Sequence, residues 1–262
     1  YRWPTIGEVD DLRAARLEEA QDFFASYYHP GNASLVLAGD VTVDEGFALA
    51  ERFFGEIARG PDVVRPVVAP MAPAAPDRWM LEDRIEYPRL HLAWHTPGLF
   101  ADGDADLDLL AEVLANGKTS RLYRALVHSR RVSLDVAASQ SSREAGGMFQ
   151  VVSTAAAPDA LPVVHEVVCE EIARLADEGP SGDELARVMA QAEANFVYRI
   201  QTVGGFSGKS DQLNAYNVFL GDPGFFERDL GRYQSADAAA LRRAGERWRG
   251  RLYRYLLHQA GA

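Results

Sequence analysis

Leu107–Ala157, LDLLAEVLANGKTSRLYRALVHSRRVSLDVAASQSSREAGGMFQVVSTAAA, holds a complete supersecondary unit. Leu107, Leu110, Ala111, Val113 and Leu114 recur at helical spacing. Asn116-Gly117 ends that helix with a dipeptide suited to left-handed backbone. Thr119 or Ser120 is placed to cap a second helix with Leu122, Tyr123, Leu126 and Val127 on its apolar face. Two alternating runs follow, Val132–Ala138 and Met148–Thr154, and the polar stretch Ser139–Gly147 between them reads as the turn of an antiparallel hairpin.

Upstream, Leu12–Tyr28 has the spacing of an amphipathic helix with Leu17, Ala20, Phe23, Phe24 and Tyr27 inward. His29-Pro30-Gly31-Asn32 stops it. Ala33–Ala38 is a continuous apolar run suited to a buried strand, and Val43–Ile57 is a second helix with Phe47, Phe53 and Phe54. A strand, a turn and a helix without a second strand cannot close a sheet, so this segment reads as the tail of a domain. Pro61, Pro66, Pro70, Pro73 and Pro76 then mark an extended linker, because proline removes backbone donors and disfavours helix. Strands are expected at Arg78–Glu82 and Arg89–Trp94, and a helix at Asp102–Leu114 with Asp102, Asp104 and Asp106 favourable at its N-terminal dipole.

Downstream, Leu161–Leu175 is a helix stopped by Gly179-Pro180. Ser181 and Glu184 form a capping box for a long helix to Ile200. Gly204-Gly205 interrupts, and Lys209–Leu220, a short helix near Phe226, Ser235–Arg247 and a strand at Leu252–Leu257 complete the chain. This order is α+β: an antiparallel-rich sheet covered on one face by helices. The expected division is residues 1–58, the end of a first domain; 59–76, the linker; and 77–262, a complete second domain.

The 262 residues suffice for a real core. A net charge of −11 argues against a nucleic-acid or anionic-membrane surface, which needs clustered Lys and Arg. Cys169 is the one cysteine, so no intrachain disulfide framework exists. No run is long and apolar enough to span a bilayer as a helix. The compartment stays open, with a periplasmic location favoured over a cytoplasmic one.

Chemistry-bearing patterns are few. Of the six histidines, only His91 and His95 lie close, and they share one face of a strand with no Glu between them. Two sheet residues with ordinary hydrogen bonds are the better reading. Glu170 and Glu171 read as a solvated helix face, and Cys169 as inert core. GGFSGKS lacks both the nucleophile-elbow context and the phosphate-loop spacing.

NGKTSRLYRALV followed by a strand pair resembles the second domain of the insulinase/pitrilysin-type zinc peptidases, the inverzincins, which include the mitochondrial processing peptidase. YRWPTIGEVDDL and FFASYYHPGNASLVLAGDV are similar to the closing third of that family's first, catalytic domain, and HLAWHTPG to the start of its second. The resemblance implies a parent that hydrolyses peptides in an enclosed chamber with zinc-activated water. The family's H-x-x-E-H motif occurs nowhere here. No catalytic residue, metal ligand or zinc ion is therefore assigned to this chain, and zinc is expected in the parent alone. Asn116, Gly117 and Lys118 match the place of the glycine-rich substrate loop, which makes them the candidate substrate-binding residues. Where substrate-gripping members carry an Arg and a Tyr, this chain has Val127 and Leu134. The resemblance then implies a second subunit supplying that pair, or self-association, with peptides as substrates. A non-catalytic assembly or binding subunit is the alternative, and an unrelated enzyme using His91 and His95 a third reading.

Overall fold

In a computed structural model, residues 5–65, 67, 77–248 and 254–260 are described. The hairpin at the centre of the sequence is the spine of a five-stranded sheet. Its strands are β1 (Asp77–Asp83), β2 (Arg89–Thr96), β3 (Ser133–Arg143), β4 (Gly146–Ala155) and β5 (Arg254–Ala260), ordered β1-β5-β2-β4-β3. All neighbours run antiparallel except β1 and β5, which are parallel. The expected nine-residue polar turn is mostly ladder. Ser139 to Ser142 pair with Gly147 to Gln150, and only Glu144-Ala145 turns. Backbone hydrogen bonding does not require apolar side chains, so polar residues carry the strands beyond the core.

One face of the sheet is covered by α4 (Asp104–Ala115), α5 (Leu161–Glu178) and α9 (Ala238–Trp248). Leu90, Leu92 and Trp94 of β2 alternate into this core with Val136, Phe149 and Val151. Trp94 and Phe149 stand opposite each other in the ladder and meet edge-on at 5.9 Å, a favoured aromatic geometry. On the helix side they meet Leu107, Leu110 and Leu114 of α4 and Val164 and Val168 of α5. The alternate residues His91, Ala93 and His95 are half-exposed on the other face, beside Met148, Gln150 and Val152.

Asp104 opens α4 but is not a solvated dipole partner. It is buried and accepts from the Phe100 N–H (3.1 Å), the Ser142 hydroxyl and Arg232 (3.3 Å) of α8 (Phe226–Gln234). Arg232 also holds Asp229 at 2.8 Å. One carboxylate thus ties the start of α4 to the end of β3 and to α8. Burial pushes the neighbouring Asp106 carboxyl up from its ordinary range.

The remaining helices are α1 (Val9–Ala14), α2 (Leu17–Tyr27), α3 (Val43–Phe54), α6 (Gly182–Gln201) and α7 (Lys209–Leu220). The single helix expected over Leu12–Tyr28 is two. Ala15 is extended, and the Glu19 carboxylate captures the Arg16 N–H (3.0 Å) to start α2 afresh. Ala33–Ala38 forms no ladder among the described residues, which correct the expected strand. A strand needs a neighbour, and here Ser34 instead donates to Asn214 (2.6 Å) and accepts from Asn217 (3.0 Å), both on α7. Phe23, Phe24 and Tyr27, expected inward, are exposed, and so are Phe47, Phe53 and Phe54, the last two as expected for a domain tail that lacks its other strands. Of the described residues up to 65, only His29 is buried. Packing groups the chain into two compact units, Tyr1–Val67 with Arg199–Phe225, and Val68–Tyr198 with Phe226–Ala262. Pro66 and residues 68–76 of the expected linker, and Leu252 and Tyr253 of the expected last strand, lie outside the described residues.

Candidate functional site

The loop Asn116-Gly117-Lys118 leaves the C-terminus of α4. The Asn116 N–H closes the last helical turn on the Glu112 carbonyl (3.3 Å), and its side-chain amide donates to the Glu112 carboxylate. Gly117 then takes φ +77°, a conformation that costs other L-residues a Cβ clash. The Gly117 carbonyl accepts from both the hydroxyl (2.7 Å) and the N–H (3.2 Å) of Ser120. Ser120 is therefore bent back onto the loop instead of capping forward. Beyond it the chain widens into a helical segment, Tyr123–Ser129, with an i to i+5 bond from the Arg130 N–H to the Ala125 carbonyl (3.1 Å). Lys118 and its two neighbours remain exposed.

Two arginines that sequence reasoning passed over fix this loop. Arg187 of α6 reaches the carbonyls of Glu112 (3.4 Å) and Asn116 (3.5 Å), a cation at a helix C-terminus. Arg121 is buried and donates to both Glu184 oxygens (2.9 and 2.8 Å) and to the Gly179 carbonyl (2.9 Å). Glu184 also accepts from the Ser181 N–H (2.9 Å), while its own N–H donates to the Ser181 hydroxyl (3.2 Å). The expected capping box exists, and Arg121 is bound into it. The Arg121 hydrogen bonds pull the Glu184 carboxyl from 4.5 to about 2, and Glu184 in turn raises the Arg121 guanidinium.

An open groove of about 720 Å³ lies beside the loop. Arg124, Arg187, Glu178 and Asp183 line it with Thr119 and Ser181. It carries charges of both signs. Such a groove can hydrogen-bond a polypeptide backbone but contains no nucleophile with an adjacent base.

The other sequence candidates stay apart. His91 and His95 both lie on β2, where four residues of rise separate them by about 13 Å. One ion cannot bridge that span. No group of three or more metal-ligating side chains occurs among the described residues. The described residues thus bring together no set of side chains that would hold zinc. Cys169 is exposed on α5, not in the core, with its sulfur 3.6 Å from His165 Nε2. Desolvation raises the thiol and lowers the imidazole, so both are held neutral and the thiol is not activated. Glu171 is buried and paired with Arg174 at 2.6 Å, whereas Glu170 is exposed as expected.

Residues 14–192 match the family described as the peptidase M16 inactive domain. The chain belongs to the peptidase M16 family. This M16 chain is 23% identical over 215 residues to the zinc protease PqqE of Helicobacter pylori, covering 79% of its own length and 48% of that protein. An uncharacterized zinc protease of Streptomyces coelicolor is 23% identical over 219 residues, at 79% and 47% coverage. The M16 chain therefore spans about half the length of the curated relatives it matches.

Solved structures carry the same fold. A protease from Helicobacter pylori superposes with a TM-score of 0.84 at 17% identity, over 97% of this chain and 62% of that one. A peptidase M16 inactive domain from Pseudomonas fluorescens gives 0.83 at 16% identity, over 99% and 61%. A chain of complex III2 from Candida albicans gives 0.74 at 15% identity, over 94% and 59%. The insulinase-type resemblance of NGKTSRLYRALV and HLAWHTPG falls within residues 14–192, the stretch that matches the M16 family.

Proposed function

We propose that this chain is the non-metal, C-terminal portion of a zinc metalloendopeptidase, and that it holds peptides for a metal site elsewhere in the parent. Residues 1–58 would be the end of the first domain, 59–76 the linker and 77–262 the second domain. Support comes chiefly from the Asn116–Lys118 loop, held at both ends and bordered by the groove of Arg124, Glu178, Asp183 and Arg187. A fixed loop with exposed backbone and one lysine suits an extended polypeptide better than a small molecule. The half-exposed sheet face of His91, His95, Met148 and Gln150 would form part of an enclosing wall. Cleavage would require the parent, together with either a second subunit that supplies an Arg/Tyr pair in place of Val127 and Leu134, or another copy.

Fluorescence anisotropy with a labelled unfolded peptide tests this directly. Binding without cleavage is expected, and Lys118→Glu or Asn116→Ala should weaken it severalfold while leaving the circular dichroism unchanged. Binding indifferent to both substitutions would remove the loop from the site. A second reading, a non-catalytic assembly subunit, draws on the likeness to a chain of complex III2 from Candida albicans. A chain that leaves the anisotropy of the labelled peptide unchanged would favour the assembly reading.

A further inference from the structure

The groove beside the Asn116–Lys118 loop offers far more hydrogen-bond donors than acceptors. Arg121, Arg124, Arg174 and Arg187 all line it, and a guanidinium carries five N–H donors and no acceptor. Two of the four are committed, Arg121 to Glu184 at 2.8 Å and Arg174 to Glu171 at 2.6 Å. Even so, Arg121 Nη1 is buried without a hydrogen-bond partner, and buried donors ordinarily have one. Arg187 makes only long bonds to the Glu112 and Asn116 carbonyls (3.4 and 3.5 Å), which leaves N–H groups over. The exposed Arg124 side chain makes no hydrogen bond or ion pair among the described residues.

The acidic side of the lining is weaker. Glu184 is engaged by Arg121 and by the Ser181 N–H. Asp183 stands in the first turn of α6, where the helix N–H groups offset part of its charge. Glu178 at the end of α5 is the remaining exposed anion of the lining. This balance favours a ligand that accepts hydrogen bonds. A carboxylate does so best, because its two oxygens match the guanidinium fork. Glu178 and Asp183 also limit the ligand, since a run of negative charges would meet their repulsion. We propose that this groove recognises a single peptide carboxylate, either an Asp or Glu side chain or a free C-terminus, through Arg124 and Arg187. The proposal rests on the reading that the chain holds peptides, and adds which peptides it prefers.

Fluorescence anisotropy of the full chain with three short peptides tests it, all labelled at the N-terminus and built on one otherwise uncharged sequence. The first carries a single Glu and an amidated C-terminus, the second Gln and a free C-terminus, and the third Gln and the amide. The first or the second should bind about tenfold tighter than the third, and the tighter of the two identifies the source of the carboxylate. Added salt should narrow that gap. Arg124→Glu should abolish the preference, whereas Glu178→Gln should strengthen binding of the preferred peptide severalfold. Melting curves of both variants report whether the fold is intact. Equal binding of all three peptides overturns the proposal and leaves the peptide-holding reading standing. A preference that survives Arg124→Glu also overturns it. Failure of every peptide to bind overturns the proposal and that reading together.

Discussion

The guanidinium of Arg121 grips the carboxylate of Glu184 with bonds of 2.9 and 2.8 Å across 63 residues of sequence. That pair joins the segment following the candidate loop to the first turn of α6, and both side chains are largely buried. Removing one partner leaves the other desolvated and uncompensated. Glu184→Gln should therefore cost roughly 3 kcal/mol in urea unfolding. The double substitution Arg121→Met with Glu184→Leu should cost distinctly less, since neither charge is then stranded. Equal losses for the single and double variants would contradict a charge-pair role.

The same carboxylate sets an acid limit. Its folded-state value, lowered to about 2 mainly by Arg121, lies below the ordinary 4.5. A group depressed on folding contributes stability that is complete above its unfolded value and is lost as pH falls through the folded one. Stability should thus decline between about pH 4.5 and 2. In Glu184→Gln this share of the decline should vanish, leaving a shallower profile. Melting temperatures measured across that window would decide it.

Gly117→Ala should destabilise the chain by about 1 kcal/mol. The added Cβ would meet nothing within 4 Å, so the cost comes from φ +77° alone. Because space is open there, Gly117→Asn should cost less than Gly117→Ala, asparagine tolerating the left-handed region better. Chemical denaturation of the two variants separates backbone strain from crowding.

Phe53 and Phe54 are 63% and 50% exposed in this chain. Replacing them with serine should change its stability by less than about 0.5 kcal/mol. In the parent, where a complete first domain would bury them, the same changes should cost roughly 3 kcal/mol or more. Dye binding by exposed apolar surface should fall in the serine variants of this chain. A large loss in the isolated chain would show that these rings already pack.

Local signals in the sequence were readable because each is decided within a few residues. The period of Leu107 to Leu114 placed α4, Ser181 and Glu184 placed the start of α6, and the alternation of Val132–Ala138 with Met148–Thr154 placed the hairpin. Long-range partners were not readable. Nothing near Arg121 announces Glu184, nor does Ser142 announce Asp104, since each pairing is made by the fold. Ala33–Ala38 departs from the strand its composition suits for a related reason. Its composition suits a strand, but a strand also needs a neighbour, which composition does not report. Arg187 had a faint signal in the known preference of cations for helix ends, but the helix it serves is not its own.

The most direct test is zinc analysis and peptide cleavage by the parent polypeptide beside this chain. A parent that holds one zinc per chain through H-x-x-E-H upstream of Tyr1, and loses cleavage on chelation, while this chain neither binds zinc nor cleaves, is the expected result. A parent with the same fold but neither motif, zinc nor cleavage would contradict the peptidase reading and leave an assembly subunit in its place.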